Sequence, residues 1–393
     1  MLVAMETQPR RALIMGHKFV ASAPRLLREV DWLISEGWLV DTIGLGEKSP
    51  SNGTHISVRL PGPLKRYGAY LLRDTRLRFS FLYGNHLPPN FESELASYDL
   101  LVIHDPTFTP WKDLRSVAKS TGGKGIHVDL HENHVDTLSR NLIEKIAFES
   151  YRRWELSQLK TFISDLAPMS TVSSVSPWIS ERFESFLGTT VSTIRNAPNR
   201  LVAGPSSLDI ENIQLVHHGV GTTHRGIEQS IFAMRNLPSN YTLNFHLVSG
   251  PIYMFKVRLL SLILGVKKRV VFHDPVATAE ISGSINKYDI ALIVIPPITE
   301  NERHAFPNKF FESIQAGLAI MTGPNPLMSK IVSDYNLGFV IKGWKSKDIV
   351  AGLLNTPTAE ICLFKENTQV VSKEFCSDAD RNVFIDAIAR HSV

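Results

Sequence analysis

The sequence has few cysteines and no long apolar run. Of its 393 residues only Cys362 and Cys376 carry thiols, which is too few for a disulfide framework or a four-ligand zinc site. We therefore expect a reducing compartment and no metal. No apolar run approaches about 18 residues, and the first residues, MLVAMETQPRR, lack the apolar segment of a signal peptide. A cytoplasmic protein is expected.

A large excess of charge of one sign is also missing. The 42 Lys and Arg residues against 38 Asp and Glu residues leave a net charge of +4, so nucleic acid is not expected as a partner. The hydrophobic fraction of 43% and the charged fraction of 20% are typical of a globular protein. At about 150 residues per domain, the length predicts two domains, or three.

Short apolar segments alternate with helical patterns along the chain. The alternation predicts a parallel α/β sheet in each half. Turn residues without periodicity gather after Asn196, so we place the hinge near Pro198. The predicted strands are 12–15, 39–45, 100–103, 125–130 and 170–175 in the first half, and 213–217, 243–248, 270–272, 290–295, 318–322 and 338–341 in the second.

The expected architecture is α/β, with two Rossmann-like parallel-sheet domains that face a central cleft. The predicted domains span 1–198 and 199–375, and residues 376–393 are predicted to form a helix that packs back on the first domain. Open parallel sheets bind ligands beyond the carboxyl ends of their strands. The loops that follow the strands are therefore the places to look for functional residues.

The segment 304–320, HAFPNKFFESIQAGLAI, follows a predicted strand of the second half. Pro307 and Asn308 predict the start of a short helix. Its free backbone N–H groups, together with Lys309, suit a diphosphate, and Glu312 could accept hydrogen bonds from the vicinal hydroxyls of a sugar. The alternative is that Asn308 is a cap and Glu312 a favourable charge in the first turn. Spacing alone does not separate the two interpretations.

The segment 217–226, HHGVGTTHRG, follows the first predicted strand of the second half. Gly219 and Gly221 would let a ligand approach the backbone, and Arg225 can hold a phosphate with two hydrogen bonds at the start of the next helix. A tight structural turn explains a bare Gly-x-Gly equally well. Arg225 tips the balance toward a phosphate.

Polar residues follow the strand predicted at 125–130, in the segment DLHENH. An HExxH zinc motif would need a second histidine where Val135 stands, so zinc is not expected. His131 and Glu132 could still act as acid, base or hydrogen-bond donor, and Asp105 adds a carboxylate after the neighbouring strand. The alternative is that His131 is a structural histidine with its hydrogen bonds satisfied.

Two stretches mix cations with apolar and aromatic residues. Residues 64–79 contain five cations and one acid, and residues 253–269 combine an apolar stripe with five cations. Either could lie on an anionic membrane surface, such as the inner face of the plasma membrane. The alternative is an ordinary solvated helix face, which we favour for 253–269 but not for 64–79.

These segments, in this order, resemble the GT-B glycosyltransferases, and specifically family four, a retaining group that uses nucleotide-sugar donors. The pieces match at similar intervals over nearly the whole chain, and the last of them is the most specific. The resemblance is carried by APRLLREV at 23–30, DLHE at 129–132, TVSSVS at 171–176 together with 191–198, and FPNKFFESIQAGLAI at 306–320.

The resemblance implies that the second domain binds the donor and the first the acceptor. It places Arg225 at the position of the family's phosphate-binding lysine and Glu312 at that of the carboxylate that holds the ribose. Val276 would meet the nucleobase through backbone groups. The candidate donor-binding residues are Gly16, Ser22, Gly219, Gly221, Thr222, Arg225, Gly250, Val276, His304, Phe306, Asn308, Lys309, Phe310 and Glu312. The candidate catalytic residues are His131, Glu132, Asp105, Arg225 and Lys309.

Two departures from the family pattern concern the donor. His304 stands where the family carries the first of two glutamates, and Val220 stands where it carries an arginine. With fewer cations around the diphosphate, the identity of the donor is not determined, and a donor with a single phosphate would also fit. UDP or GDP is the expected nucleotide. Fixed cations and backbone dipoles would replace a metal, and no cofactor is expected. Glu132 or Asp105 would be the base only if the reaction inverts.

The expected function is transfer of a sugar to a glycan or lipid-linked acceptor in cell-envelope polysaccharide synthesis, by a retaining and metal-independent reaction. Two alternatives keep the fold. One is an epimerase or phosphorylase, and the other is a catalytically degenerate homologue that binds nucleotide or polysaccharide. Release of nucleotide only in the presence of acceptor would separate transfer from epimerisation.

Overall fold

The structure is a computed structural model, and it describes residues 9–19, 23–47, 51–58, 91–104, 125–131, 142–165 and 170–389. The chain divides into two compact units. Unit 1 comprises Met1–Arg195 and Asp380–Val393, and unit 2 comprises Asn196–Ala379. None of the described helices has both the length and the apolar character needed to cross a bilayer.

Strands and helices alternate through the described residues. The strands are β1 (Arg11–Phe19), β2 (Leu39–Leu45), β3 (His55–Val58), β4 (Leu100–His104), β5 (Gly125–Leu130), β6 (Ser170–Ser174), β7 (Val191–Thr193), β8 (Ile213–Val220), β9 (Tyr241–Val248), β10 (Val270–His273), β11 (Ile290–Ile293), β12 (Ala319–Thr322) and β13 (Gly338–Val340). The helices are α1 (Pro24–Ser35), α2 (Phe91–Leu95), α3 (Leu142–Asp165), α4 (Pro177–Leu187), α5 (Ile227–Met234), α6 (Pro251–Ile263), α7 (Ile281–Ile285), α8 (Glu300–Arg303), α9 (Asn308–Gln315), α10 (Pro326–Asp334), α11 (Ser346–Asn355), α12 (Thr358–Val371) and α13 (Ser377–Ala389).

The sheet of unit 1 is parallel and runs in the order β3-β2-β1-β4-β5-β6-β7. Its central strands β4 and β5 are fully buried runs, as expected where helices cover both faces of a sheet. Helix α1 packs Leu26, Val30 and Leu33 on one face together with Phe384 of α13. Helices α3 and α4 cover the other face.

Helix α13 joins the two units along the chain. The backbone N–H of Ser377, at its start, donates to the carbonyl of Pro198 at 2.8 Å within unit 2. The later residues of the helix group with unit 1, where the ring of Phe384 lies 5.5 Å from that of Trp32. The later turns of α13 therefore contribute to the core of unit 1.

The sheet of unit 2 is also parallel and runs in the order β10-β9-β8-β11-β12-β13. Helices α5, α6, α11 and α12 pack on one face, where they share a core with β8, β9 and β11. Helices α7, α9 and α10 pack on the opposite face. Unit 2 is therefore a second doubly wound α/β layer.

The two parallel sheets confirm the predicted fold class. Every strand predicted from an apolar run is present, although several ends differ; the run at 290–295, for example, is a strand only to Ile293. Strands β3 and β7 were not predicted. They are four and three residues long, lie at the two edges of the sheet of unit 1 and are only partly buried, so no apolar run marks them.

In each sheet the strand order reverses beside the first strand of the unit. The reversal lies between β1 and β4 in unit 1 and between β8 and β11 in unit 2. Doubly wound sheets bind ligands outside the carboxyl ends of the strands at such a switch point. The loops that follow these four strands are the places where this fold offers a site.

Candidate functional site

Three glycines shape the end of β8 and the loop that follows it. Gly219 and Gly226 have φ angles of 97° and 76°, which other residues rarely adopt. A Cβ atom on Gly226 would lie 2.0 Å from the carbonyl oxygen of Val294, and one on Gly221 would lie 2.8 Å from the Cβ atom of Ser249. The glycines hold the loop close to the ends of β9 and β11, so the structural turn explains them without a ligand.

Helix α9 begins with backbone N–H groups that no side chain caps. Its N-cap residue is Pro307, which is extended (φ −78°, ψ 157°) and makes no side-chain hydrogen bond to the helix. Asn308 is the first helical residue, so the alternative that made Asn308 the cap is wrong. The first N–H groups of a helix lack partners within it, and together with the helix dipole they favour a bound anion.

Two side-chain pairs join β8 to α9. The Nζ atom of Lys309 lies 3.2 Å from Nε2 of His217, and Nε2 of His218 lies 2.8 Å from Oε2 of Glu312. All four residues are buried. Lys309 and Glu312 are about one helical turn apart, so α9 presents a cation and an anion side by side at the end of β8.

The buried lysine of this site has a perturbed pKa. Burial and the charge of Arg225, opposed by that of Glu312, lower the pKa of Lys309 to about 8. Burial also holds the pKa of His217 well below its usual range, and the charge of Lys309 acts in the same direction. His217 is therefore neutral at pH 7 and can accept a hydrogen bond from the ammonium group.

A second buried lysine of unit 2 shows how a structural lysine is satisfied. The Nζ atom of Lys365 lies 2.8 Å from Oδ1 of Asp289 and donates to the carbonyl of Tyr288 at 3.1 Å. Among the described residues Lys309 forms no such ion pair and instead meets the neutral ring of His217. Because a buried ammonium that is not directly paired with a carboxylate is costly, Lys309 marks a place for a negatively charged ligand.

Arg225 and Gly219 lie beside this lysine. Arg225 is half-buried, and its charge acts on Lys309. A Cβ atom on Gly219 would lie 3.8 Å from the Cε atom of Lys309. The structure thus brings three predicted donor-binding residues together. The structure adds His217 and His218, which were not predicted as site residues although they are adjacent histidines near the end of the strand that opens the second half.

Two of the predicted donor-binding residues turn their side chains into the core. Phe306 and Phe310 pack against each other, with ring centroids 5.3 Å apart, inside the apolar cluster around α9. Their side chains therefore fill the core and leave only backbone groups for a donor. His304 ends α8, and its Nε2 atom lies 3.6 Å from Oε2 of Glu300.

The other predicted residues of unit 2 lie in loops at the same edge of the sheet. Thr222 is exposed in the loop after β8, and Gly250 is the N-cap of α6. Val276 follows β10, is half-buried and packs against the apolar cluster around α9. None of these observations assigns a ligand contact to them.

In unit 1, Gly16 lies within β1, where a Cβ atom would lie 2.7 Å from a leucine side chain of α1. Close packing of the helix on the strand explains this glycine. The predicted residues Ser22, Asp105 and Glu132 fall outside the described residues, as does the cationic stretch at 64–79.

A buried network of charged side chains lies at the ends of β4 and β5. The guanidinium group of Arg25, on α1, donates to both carboxylate oxygens of Asp129. His104 lies between two carboxylates, with Nδ1 3.3 Å from Oδ2 of Asp129 and Nε2 3.0 Å from Oε2 of Glu29. The Nε2 atom of His131 lies 2.8 Å from the same Asp129 oxygen. Of this group, only His131 was predicted from the sequence as a site residue.

The charges in this network stabilise one another. Burial alone would lower the pKa of His104, but the carboxylates of Glu29 and Asp129 raise it to about 10. Burial would raise the pKa of Asp129, but the charges of Arg25 and His131 hold it well below its usual range. Two carboxylates therefore face the cations of Arg25 and His104 at pH 7.

Three possible metal ligands meet in the same network. Atoms of His104, Asp129 and His131 lie within 4.8 Å of one another. However, Arg25 and the hydroxyl of Ser173, at 2.6 Å, already occupy the carboxylate of Asp129. The raised pKa of His104 also means that this ring carries a proton where a metal needs a lone pair. The donor set does not suit a divalent cation, and we assign no metal.

No protein-family model matches the sequence, and no curated protein matches it. Solved structures do match. The chain is similar to a glycosyltransferase from Rickettsia africae ESF-5, at 12% identity over 98% of this chain and 99% of that chain, with a TM-score of 0.65. It is also similar to WaaG, a glycosyltransferase involved in lipopolysaccharide biosynthesis, at 14% identity over 96% and 99% of the two chains, with a TM-score of 0.60.

A third similar structure holds ligands. HepE of Anabaena, solved in complex with UDP and glucose, matches at 12% identity over 97% of this chain and 99% of that chain, with a TM-score of 0.65. These likenesses extend over both units and confirm the predicted GT-B fold. At such low identity they show the fold alone, and the reaction depends on the residues of the site.

Proposed function

We propose that the chain is a glycosyltransferase that moves a sugar from a nucleotide-sugar donor to an acceptor hydroxyl, with the donor bound by unit 2. The observation that carries the proposal is the buried ammonium of Lys309, which lacks a carboxylate partner among the described residues and lies in the first turn of α9. The UDP and glucose held by HepE support a nucleotide sugar as the class of donor.

The cations of unit 2 would stabilise the leaving group. When the bond between sugar and phosphate breaks, negative charge grows on the departing diphosphate. Lys309, Arg225 and the uncapped N–H groups of α9 supply fixed positive charge for it, and burial reduces the screening of that charge by water. Because these groups are already in place, we propose a metal-independent reaction.

Glu312 is suited to hold the ribose of the nucleotide. Its Oε2 atom lies 2.8 Å from Nε2 of His218, a contact that orients the carboxylate. A carboxylate oxygen can accept hydrogen bonds from two vicinal hydroxyls, and fixed orientation reduces the entropy that binding costs. His218 is thus proposed as the positioning residue for Glu312.

Unit 1 is proposed to bind the acceptor. His131 follows β5 and is held by Asp129 at 2.8 Å, so its ring orientation is set before a substrate arrives. A retaining reaction requires no strong protein base, and His131 would then hydrogen-bond a substrate hydroxyl through the ring nitrogen that does not face Asp129. The role of WaaG in lipopolysaccharide biosynthesis supports a glycan or lipid-linked acceptor of the cell envelope.

Nucleotide binding tests the role of Lys309. In a thermal-shift panel of UDP, GDP, ADP, CMP and dTDP, we expect either UDP or GDP to raise the melting temperature the most. A ligand that binds only the folded state raises the melting temperature. Lys309→Met keeps the bulk of the side chain but removes its charge, and it should weaken binding of that nucleotide about tenfold to a hundredfold. Lys342→Met, at an exposed lysine of the same unit, is the control.

Binding should also be linked to proton uptake. Lys309, with a pKa of about 8, is about half protonated at pH 8, and a bound phosphate would raise that pKa. Calorimetry in buffers of different ionisation enthalpy should therefore show uptake of about half a proton per nucleotide at pH 8, and this uptake should shrink as the pH is lowered to 7, where Lys309 is already mostly protonated. The uptake should vanish in Lys309→Met. Binding without this linkage would place the phosphate elsewhere.

Turnover tests the reaction itself. Glu312→Gln and Arg225→Ala should each lose most transferase activity while the melting temperature of the protein stays close to that of the wild type. Full activity in both variants, or no response to any nucleotide, would contradict the site assignment.

The departures at His304 and Val220 favour a second candidate, a homologue that binds nucleotide or polysaccharide without turnover. Val220 is exposed at the end of β8, where the resembled family has a cation. This candidate predicts tight nucleotide binding with no sugar transfer to any acceptor. Release of nucleotide that depends on acceptor would exclude it, and would also exclude an epimerase.

A further inference from the structure

Helix α6 of unit 2 carries an apolar face that the described residues do not cover. Sixteen large apolar residues are exposed in the described part of the chain, and five of them lie on this thirteen-residue helix. Their exposed fractions run from 41% to 86%. They are Ile252, Phe255, Leu259, Leu262 and Ile263. Scattered apolar residues are normal on a surface, whereas a concentration of this kind marks an interaction site.

The five residues form one stripe along the helix. At about 100° per residue, the spacings between positions 252, 255, 259, 262 and 263 keep their side chains on one side. Val257 and Ser261 lie on the opposite side, which is buried against the sheet. We therefore define the outward stripe, Ile252 to Ile263, as the α6 face.

A groove continues the α6 face toward the edge of the sheet. Its volume is about 520 Å³, and it lies between α6 and the edge strand β10. Its floor and walls include Phe255, Leu259, Leu262 and Phe272, and the cations Arg258 and Lys267 stand among them. Apolar walls with cations beside them suit a molecule that has an apolar part and an anionic part.

The charge around the α6 face is predominantly positive. Residues 251–269 contain five Lys and Arg residues and no Asp or Glu. Lys256 and Arg258 flank the stripe on its two sides, and Lys267 and Lys268 are exposed just beyond the end of the helix. Lys256 also pairs with Glu228 of α5, at 3.2 Å. The surface around the stripe is therefore cationic.

These observations favour a membrane-facing surface at 253–269 over a solvated helix face. A solvated helix face carries polar residues outward, whereas α6 turns aromatic and aliphatic side chains outward and places cations at their margins. Helices with an apolar stripe flanked by Lys and Arg lie flat in the interface of anionic bilayers. A protein partner would need its own apolar and anionic surface to match this face, whereas an anionic bilayer supplies both.

We propose that the α6 face is a docking surface for anionic phospholipid membranes. The apolar stripe would enter the boundary between headgroups and acyl chains, and Arg258, Lys267 and Lys268 would meet the lipid phosphates. This attachment does not depend on which reaction the chain catalyses, and it places a membrane contact on unit 2.

Vesicle co-sedimentation tests this surface in the full-length chain. The wild type should sediment with vesicles of phosphatidylcholine and phosphatidylglycerol but not with vesicles of phosphatidylcholine alone, and binding should weaken as salt is raised. Phe255→Ser/Leu262→Ser should weaken binding at least about tenfold because apolar area is lost. Lys267→Gln/Lys268→Gln should have an effect of similar size and remove part of the salt dependence.

Matched variants elsewhere in unit 2 are the controls. Leu363→Ser/Val370→Ser removes two exposed apolar residues from α12, and Lys342→Gln/Lys347→Gln removes two exposed lysines. Both control proteins should bind like the wild type, and all variants should keep its melting temperature. Light scattering without vesicles would reveal whether the α6 face holds a second copy of the chain instead.

Three results would overturn the proposal. One is failure of the wild type to bind anionic vesicles. The second is binding by both α6 variants that equals the wild type, which would assign the contact to another segment. The third is a dimer of the wild type that the Phe255→Ser/Leu262→Ser variant converts to a monomer without any membrane binding.

Discussion

At the switch point of unit 1, the carboxylates of Glu29 and Asp129 face the cations of Arg25 and His104, whereas at that of unit 2 the ammonium of Lys309 faces a neutral imidazole. The charges of unit 1 are therefore paired with one another in a balanced network, whereas in unit 2 Lys309 has no direct ion pair among the described residues. A balanced network needs no ligand to neutralise its charges. A buried charge without a direct partner lowers stability until a counter-ion arrives.

The largest expected effect comes from breaking the balanced network. Arg25→Met should lower the free energy of unfolding of unit 1 by about 3–5 kcal/mol, because it leaves Asp129 and Glu29 buried with one cation fewer. Five of the six tryptophans belong to unit 1, so urea unfolding followed by tryptophan fluorescence reports on this unit. Lys160→Met, an exposed cation of α3, should change it by less than about 0.5 kcal/mol. Equal effects of Arg25→Met and Lys160→Met on the free energy of unfolding would contradict the difference drawn between the two units.

The next largest effect is a dependence of the stability of unit 1 on pH. The pKa of His104 rises from 6.5 to about 10 on folding, so its contribution to stability is fully present below about pH 6.5 and is lost as the pH rises toward 10. His104→Gln should cost about 2–3 kcal/mol at pH 6, and the difference from the wild type should shrink steadily up to pH 10. Urea unfolding of unit 1 at several pH values measures it. A difference that is independent of pH would mean that His104 is neutral.

The smallest effect is on the stability of unit 2, where we expect a substitution to stabilise the protein instead of destabilising it. The pKa of Lys309 falls from 10.5 to about 8 on folding, so the cost of burying its charge is present below about pH 8 and disappears as the pH rises to 10.5. Without a ligand, Lys309→Met should therefore raise the stability of unit 2 by about 1–2 kcal/mol at pH 7. Hydrogen exchange of the amides of β8 and α9 measures this unit separately.

Lys365→Met sharpens the same comparison within unit 2. Both lysines are buried, but Lys365 is paired with Asp289 at 2.8 Å. Removing Lys365 leaves a buried carboxylate without its cation, so this variant should destabilise the unit that Lys309→Met stabilises. If both variants destabilise unit 2 to a similar extent, Lys309 is a structural lysine and the donor site must be sought elsewhere.

Much of the fold was predictable because local signals agreed with the tertiary arrangement. Apolar runs such as LVDTIGL in β2 and GIHVDL in β5 are buried on both faces of a sheet and read directly as strands. Pro307 and Asn308 predicted the start of α9 at the residue where it begins. The edge strands β3 and β7 were missed because they are short and half-exposed, so that no apolar run distinguishes them from loops.

The candidate site was predictable only in part. Lys309 and Glu312 stood out because they lie at the start of a helix that follows a strand, which is a local pattern. Their partners His217 and His218 are more than ninety positions earlier in the chain, and no local pattern announces a contact at that distance. In the same way His131 was found at a strand end, whereas Arg25 and Glu29 were not recognised as its neighbours.

By itself the sequence determined the two parallel α/β layers, the loops at the ends of their strands and the residue types available there, because hydrophobic period and turn chemistry act over a few residues. Only the tertiary structure decided which charges meet. It paired Arg25 with Asp129 and Lys365 with Asp289, left Lys309 beside a neutral histidine, and turned the α6 face outward. The physical reason is that burial and neighbouring charge depend on distances in space, which residues far apart in the chain set together.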